Sequence, residues 1–393
     1  MSTENESGQT LAHIREWIRE FNTRVVSPVA RDLDRHPSPE DCFSWDIVEA
    51  GDGIGLRTLC LSEDYGGALF DHVSTAVVIE ELARADLGTS VVFAQTIKIS
   101  KVVEMVGTQA QKDRILPTYR DDPRALYAIG ITEPDNASDY IIPHRGAAFR
   151  TVARRVEGGW IVNGMKHFIS NGNRARFYLL MAQTEEGSDL SEGSTCFMIE
   201  AGTPGFTTGK VHDKLGERLA NNAELLFNNC FVPDEDVLGE VGKGFDILVK
   251  FFPASNAWAG ASILGVADAA YERSLEWTRQ RVQGGRPLIE HDTVAITLAE
   301  MKMAIDVARS YIHASCAAAD GVGDWDPTMG AFPKIVASQA AWKVVTQALE
   351  LHGGYGYMKD LYMEKLLRDA TAFLHSDGVN RSLFLKAARF IRA

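Results

Sequence analysis

Hydrophobic positions along this chain change their period twice. From Leu11 to about Arg35, the residues Ile14, Trp17, Ile18, Phe21, Val25 and Val29 fall on one face at helical spacing. The same texture continues through Val73–Ala85 and Ser90–Val106, after the turn-rich Glu63-Asp64-Tyr65-Gly66-Gly67. Near Ala125 it gives way to short β-rich runs punctuated by glycine: Thr151–Val156, the Gly158-Gly159 turn, Trp160–Asn163, Phe177–Thr184, Thr195–Glu200 and Ala223–Val232. Short strands separated by turn signals predict a small antiparallel barrel or sandwich. After Gly242-Lys243-Gly244 the helical period returns in longer segments. Val294, Leu298, Met301, Ile305, Ala308 and Ile312 step by four and three, which is the seam of a packed helix. Ile335, Ser338, Trp342, Val345 and Leu349 repeat that stepping, and Asp320–Pro327 links the two. The expected class is α+β: an N-terminal helical domain (1–125), a central β domain (126–240) and a C-terminal helical bundle (241–393).

Composition narrows the function. Hydrophobic residues at 45% and charged residues at 24% are ordinary for a globular chain. With 40 basic against 53 acidic residues the net charge is -13, and no basic stripe offsets it, so nucleic acid is not an expected partner. No apolar run reaches the roughly 20 residues of a membrane span. Met1–Thr10 is polar and acidic, unlike a secretory leader, so the expected location is cytoplasmic. Cys42, Cys60, Cys196, Cys230 and Cys316 are dispersed and read as reduced thiols, and the histidines show no HxxxH or HxH spacing, so no metal is expected.

Three clusters could carry chemistry. His352-Gly353-Gly354-Tyr355-Gly356-Tyr357 closes a predicted helix, and its glycines suit either a helix cap or close approach of a ligand to backbone amides. Ile131-Thr132-Glu133-Pro134-Asp135-Asn136-Ala137-Ser138-Asp139 is either a turn or a set of hydroxyls and freed amides for a polar ligand edge. Phe168-Ile169-Ser170-Asn171 puts an aromatic ring beside a hydroxyl, which suits a flat heterocycle or a core residue followed by a turn. No Walker A motif and no strand-borne GxGxxG accompanies them.

Taken in order, these segments resemble the acyl-CoA dehydrogenase superfamily. Thr132-Glu133-Pro134 with Ser138-Asp139 resembles its TEPxxxSD segment, and Gly159-Trp160-Ile161-Val162-Asn163-Gly164-Met165-Lys166 its GW-hydrophobic-NGxK hairpin. Phe168–Asn171, Lys214-Leu215-Gly216, Gly242-Lys243-Gly244-Phe245, Leu351–Tyr357 and Glu364-Lys365 with Arg368-Asp369-Ala370 match its remaining signatures across nearly the whole chain. The resemblance implies the acyl-CoA dehydrogenase fold, with a C-terminal four-helix bundle, FAD between the β domain and the bundle, and a homotetramer. It implies that Ile131, Thr132, Ser138, Phe168 and Ser170 meet the flavin. It further implies that Arg281, Gly353 and Gly354 meet the adenosine diphosphate across a subunit boundary, and that Glu350 and Val379 stand at positions that contact the cofactor. The implied substrate is an acyl-CoA or similar thioester, and the implied electron acceptor an electron-transfer flavoprotein.

The sequence departs from that pattern at the base. The family's usual glutamate, counted on from Arg368-Asp369-Ala370, is Asp377 in Asp377-Gly378-Val379-Asn380. A carboxylate is retained, shorter by one methylene or roughly 1.5 Å. The alternative base position, on the first helix of the bundle, is Ser255. An aspartate turn together with that serine resembles the nitroalkane oxidases of the same superfamily, although the arginine expected seven residues after the aspartate is Phe384. The favoured expectation is α,β-dehydrogenation of an acyl thioester, with a cyclic or branched acyl group or a carrier-protein handle left open. A nitroalkane-oxidase-like carbon-acid oxidase and a non-catalytic binding module are the alternatives.

Overall fold

In the computed structural model, which describes residues 2–392, the first predicted face becomes α1 (Ser2–Phe21). A π-helical turn at Asn22–Val26 leads into α2 (Ser27–Asp34). Ile14, Ile18 and Phe21 are buried, whereas Val29 is 39% exposed and lies off the seam. α3 (Trp45–Asp52), α4 (His72–Ala85), α5 (Leu87–Val106) and α6 (Gln109–Asp121) complete the N-terminal layer. Asp71, Asp86 and Thr108 cap α4, α5 and α6 by accepting from backbone N–H groups that the helices leave unsatisfied.

The central domain is one sheet with the order β6-β7-β3-β2-β4-β5-β8. Its strands are β1 (Tyr127–Gly130), β2 (Val152–Val156), β3 (Gly159–Ser170), β4 (Phe177–Gln183), β5 (Ser194–Glu200), β6 (Phe206–Val211), β7 (Asn222–Pro233) and β8 (Val237–Leu238). A single helical turn, α7 (Leu190–Gly193), precedes β5. The sheet is mixed rather than wholly antiparallel as predicted: β1 and β2 both run parallel to β4. β1 is buried between α5 and β4, and this places Ile131 and Thr132 directly beyond its end. β3 and β7 form the longest pairing, and its register shifts between Lys166 and Ile169.

The C-terminal domain is built on α8 (Gly244–Gln280), α9 (Asp292–Ala319) and α10 (Phe332–His352), which pack against one another. A hairpin, β9 (Val282–Gln283) and β10 (Arg286–Pro287), joins α8 to α9 through Gly284 and Gly285, both at positive φ. α11 (Gly354–Tyr357), α12 (Met363–Ala370) and α13 (Asn380–Arg392) follow, and α12 and α13 pack on α10. The α9 seam from Leu298 to Ile312 is buried as predicted, but Trp342 on α10 is 40% exposed and lies outside its seam. α4 packs on α8, so the N-terminal helices and the bundle share a core. No single described helix is long and apolar enough to cross a membrane. All five cysteines are buried and unpaired.

One ion pair fastens α4 to α9. Glu80 is buried, with Arg309 Nη2 2.6 Å from its Oε1 and Arg15 Nη1 at 3.5 Å. Burial opposes its ionisation, but Arg309 and then Arg15 outweigh that and hold the carboxyl below its ordinary 4.5. A carboxylate depressed in the fold stabilises it above the unfolded pKa, and that contribution is lost as pH falls through the folded value. Urea midpoints are therefore expected to drop as pH falls below about 4.5. Glu80→Gln should lower the midpoint near neutrality and flatten this acid limb.

Candidate active site

A cleft of about 820 Å³ opens where the C-terminal end of β1, the end of β3, α5, α8 and the loop after α12 converge. Its β-domain wall is fixed by a buried clamp. Glu133 accepts from the backbone N–H groups of Arg150 at 2.6 Å and Thr151 at 2.8 Å, and from Lys166 Nζ at 2.8 Å. Lys166 also donates to the Ile131 carbonyl, so the pair pins the Ile131–Thr132 segment at the rim. Burial pushes the Lys166 ammonium down to about 8 against the pull of Glu133, which stays ionised through Lys166 and the two backbone donors.

The β3–β7 register shift has a direct effect on the cleft. Phe168 takes φ +58 at the irregularity, and its side chain, 56% exposed, lines the cleft beside Ser170. Asn222 holds it from behind by donating to the Phe168 carbonyl at 2.9 Å. Asn171 also has positive φ and is fully buried, and its amide donates to the carbonyls of Val92 and Tyr127. The strand end is thereby tied to α5 and β1. Thr132 and Ser138 complete this wall.

The opposite wall carries Asp377. Its backbone sits at φ +50, followed by Gly378 at φ +97, and the Asp377 carboxylate is 32% exposed in the cleft. The turn is strapped from below by Lys334 on α10, which is fully buried. Lys334 donates to the Gly378 carbonyl at 2.6 Å and to Asn380 Oδ1 at 2.9 Å, and Asn380 donates to Ser338 at 3.0 Å. Burial pushes the Lys334 ammonium down to about 8, with Asp377 opposing. A Cβ at Gly378 would meet the Ile141 Cδ1 at 2.4 Å, and φ +97 strains any residue with a side chain there, so glycine suits this position.

The Lys214-Leu215-Gly216 and Arg368-Asp369-Ala370 stretches prove to be braces. Arg368 donates to Asp34 at 2.6 Å and to the Leu215 carbonyl at 2.9 Å, while Asp369 accepts from the Glu217 N–H at 2.7 Å. A Cβ on Gly216 would lie 2.6 Å from the Arg368 backbone, so only glycine permits this approach. The same loop puts a second carboxylate, Glu217, into the cleft, which the sequence reading missed. Its carboxyl is raised by burial, is only 8% exposed and pairs with Lys214 at 3.2 Å. Lys98 on α5, also missed, lines the cleft with its Nζ 3.7 Å from Asp377 Oδ2.

The structure therefore brings Ile131, Thr132, Ser138, Phe168, Ser170, Asp377 and Val379 together around one cleft. Ser255 is buried in α8 and does not line it; α8 contributes Trp258, Ala259 and Ser262 instead. Arg281, Glu350, Gly353 and Gly354 gather in a separate groove of about 520 Å³ that shares no lining residue with the cleft. There Gly353 caps α10 at φ +56, and space is open around both glycines. His352 accepts the cap reading: its ring is buried, stacks on Trp277 at 5.3 Å and has Nδ1 2.7 Å from the Ala348 carbonyl. The fold also joins His167, His212 and Glu224, whose polar atoms lie within 4.8 Å of one another, although sequence spacing gave no hint of it. In the structure His167 Nε2 lies 3.4 Å from Glu224 Oε1, and both imidazole rings pack at a tilt against Phe168.

This architecture is matched by known proteins along its whole length. The acyl-CoA dehydrogenase N-terminal, middle and C-terminal domain families match residues 9–121, 128–230 and 242–391. The chain belongs to the acyl-CoA dehydrogenase family of oxidoreductases. A short-chain-specific acyl-CoA dehydrogenase of Megasphaera elsdenii is 32% identical over 367 residues, 92% of each chain. The solved butyryl-CoA dehydrogenase of Megasphaera elsdenii superposes with a TM-score of 0.90 at 30% identity, covering 98% of each chain. The prolyl acyl carrier protein oxidase AnaB superposes at 0.85 with 26% identity, covering 98% of this chain and 99% of that one.

Proposed function

We propose that this protein is an FAD-dependent dehydrogenase of acyl thioesters in which Asp377 removes the α-proton. The observation that carries this reading is one partly exposed carboxylate, Asp377, in the same cleft as the exposed Phe168 ring and the Thr132, Ser138 and Ser170 hydroxyls. The residues present fit FAD. Phe168 offers a flat apolar face, and the hydroxyls offer donors and acceptors for the polar edge of a heterocycle. In the second groove, Arg281 supplies a guanidinium for a diphosphate, and Gly353-Gly354 leave backbone amides unobstructed. Glu350 in that groove would repel phosphate but accept from ribose hydroxyls.

FAD bound there supplies a two-electron acceptor for the hydride lost from the β-carbon. Asp377 takes the α-proton, leaving an α,β-unsaturated thioester. Lys334 and Asn380 keep the carboxylate-bearing turn in place without occupying the carboxylate itself. Separation of the cleft from the Arg281 groove supports two subunits sharing each cofactor, in a homotetramer. An electron-transfer flavoprotein is the proposed acceptor for the electrons. Five buried, unpaired thiols support a reducing compartment, the cytoplasm. The nitroalkane reading is supported by Asp377 but not by Ser255, which is outside the cleft, nor by Phe384, which packs on Phe332 at α13.

The test is anaerobic absorbance of the FAD-loaded protein mixed with straight, branched and cyclic acyl-CoAs and with nitroethane. Bleaching by a thioester is expected. Bleaching by nitroethane alone, or by nothing in the panel, overturns the reading.

A further inference from the structure

β6, β7 and β3 are neighbours in the sheet, and both pairings slip at the same point. Ala223 on β7 pairs with Ile169 on β3 and with Val211 on β6, and Leu225 pairs with Lys166 and Thr208. Glu224, between them, therefore faces two residues on each side where a regular ladder has one. His167 lies inside the first slip, and His212 follows the last residue of β6. The lapse in pairing brings these three side chains together: one nitrogen of each imidazole and one Glu224 carboxylate oxygen lie within 4.8 Å of one another. The Lys210 N–H donates to Glu224 Oε2 at 3.1 Å, while Oε1 faces His167 Nε2 at 3.4 Å. A charge-assisted N–H···O bond spans only about 2.7–2.9 Å. Two ligands of a tetrahedral zinc ion, each roughly 2.0–2.1 Å from the metal, stand about 3.4 Å apart. The ring nitrogens His167 Nδ1 and His212 Nε2 are also buried without a hydrogen-bond partner among the described residues. Buried polar atoms left unpaired call for a ligand, an ion or a water.

We propose that His167, His212 and Glu224 bind a divalent transition-metal ion, zinc above all, which fastens β3, β6 and β7 where their pairing lapses. Two imidazoles and a carboxylate suit zinc, whereas magnesium and calcium take oxygen ligands. The His167 and Glu224 side chains are 20% and 22% exposed, which leaves a fourth position to water. Lys214, the nearby ammonium, is committed to Glu217 at 3.2 Å and Asn222 Oδ1 at 2.9 Å rather than to Glu224. Drawing the set to bonding distance moves the His212 ring inward, and its place beyond the end of β6 permits that. Both imidazoles pack against Phe168, so the ion also steadies the aromatic ring at the cleft. None of this depends on the reaction assigned to the cleft.

The experiment takes the untagged full chain, strips it with a chelator and titrates it with Zn²⁺ in a calorimeter. One ion per chain is expected. Co²⁺ in its place should show the intense visible bands of a four-coordinate site, which the hydrated ion lacks. His212→Ala and Glu224→Gln should each weaken Zn²⁺ binding by at least about tenfold, since losing even an outer-shell partner of a metal ligand costs that much. His13→Ala, at an exposed position on α1, should leave it unchanged. Zn²⁺ should raise the thermal midpoint of the wild type and not those of His212→Ala and Glu224→Gln. Absence of Zn²⁺ binding overturns the proposal, and so does an affinity that either ligand variant leaves unchanged. Should neither variant fold, X-ray absorption at the zinc edge of the wild type decides. Scattering from two imidazoles supports the site, and a shell without them overturns it. Flavin reduction enters none of these readouts, so they stand whether or not a thioester is the substrate.

Discussion

Asp377→Asn is expected to slow flavin reduction by the best thioester substrate by about 10²- to 10⁴-fold, the range that a positioned base contributes. The substitution keeps the shape of the side chain and removes its basicity. It also suits the backbone, because asparagine tolerates the left-handed conformation that Asp377 holds at φ +50. The strap from Lys334 binds the Gly378 carbonyl and Asn380, neither of which changes, so the turn should persist. Anaerobic stopped-flow absorbance measures the rate, and the visible spectrum of the variant confirms that flavin is still bound. The competing base is Glu217, whose carboxyl burial raises but which is enclosed and paired with Lys214. Wild-type reduction by Asp377→Asn together with silence in Glu217→Gln would move the role to Glu217.

The largest expected change in stability comes from Glu133→Gln. Glu133 and Lys166 are both fully enclosed, at 1% and 0% side-chain exposure, so the pair has no solvent to fall back on. Gln retains one acceptor oxygen for the three donors and leaves the ammonium without a counter-charge. Removing one partner of a buried pair costs about 3–5 kcal/mol. The lowered Lys166 pKa limits the loss, since the amine can shed its proton. The denaturant midpoint should therefore fall steeply at neutral pH and recover partly as pH rises toward the ordinary lysine value of 10.5. A midpoint unchanged from the wild type at neutral pH would show that the clamp is not holding the Ile131–Thr132 rim.

The sequence carried much of this fold for simple reasons. Strands β2, β4, β5 and β7 lie close to the apolar and β-rich runs that predict them, whereas β3 continues to Ser170, seven residues beyond the predicted Asn163. β1 is four residues buried within other elements, and β6 shows one buried residue and no alternation, so neither announces itself. Val29 and Trp342 match a helical step but lie at the edge of a face, where spacing alone cannot separate seam from surface. The candidate site was legible as motifs but not as roles. Glu133, Asn171, Arg368 and Asp369 are spent on bracing, and the groups that face the cleft stand beside them. Lys98 did leave a signal: it interrupts an apolar run between Ile97 and Ile99, both fully buried. Glu217 and the His167–His212–Glu224 group left none, because their members meet only through tertiary structure.

The buried thiols give this protein a set of internal clocks. Cys60 sits among the N-terminal helices, Cys196 and Cys230 in the sheet, and Cys316 on α9. Burial pushes Cys60 up to about 12 and Cys230 up to about 11, so neither is a thiolate while the native packing holds. A thiol reagent can then modify each only as fast as its own layer opens. Labelling read residue by residue would thus time the transient breathing of the three layers separately, from the unaltered chain and without any introduced probe.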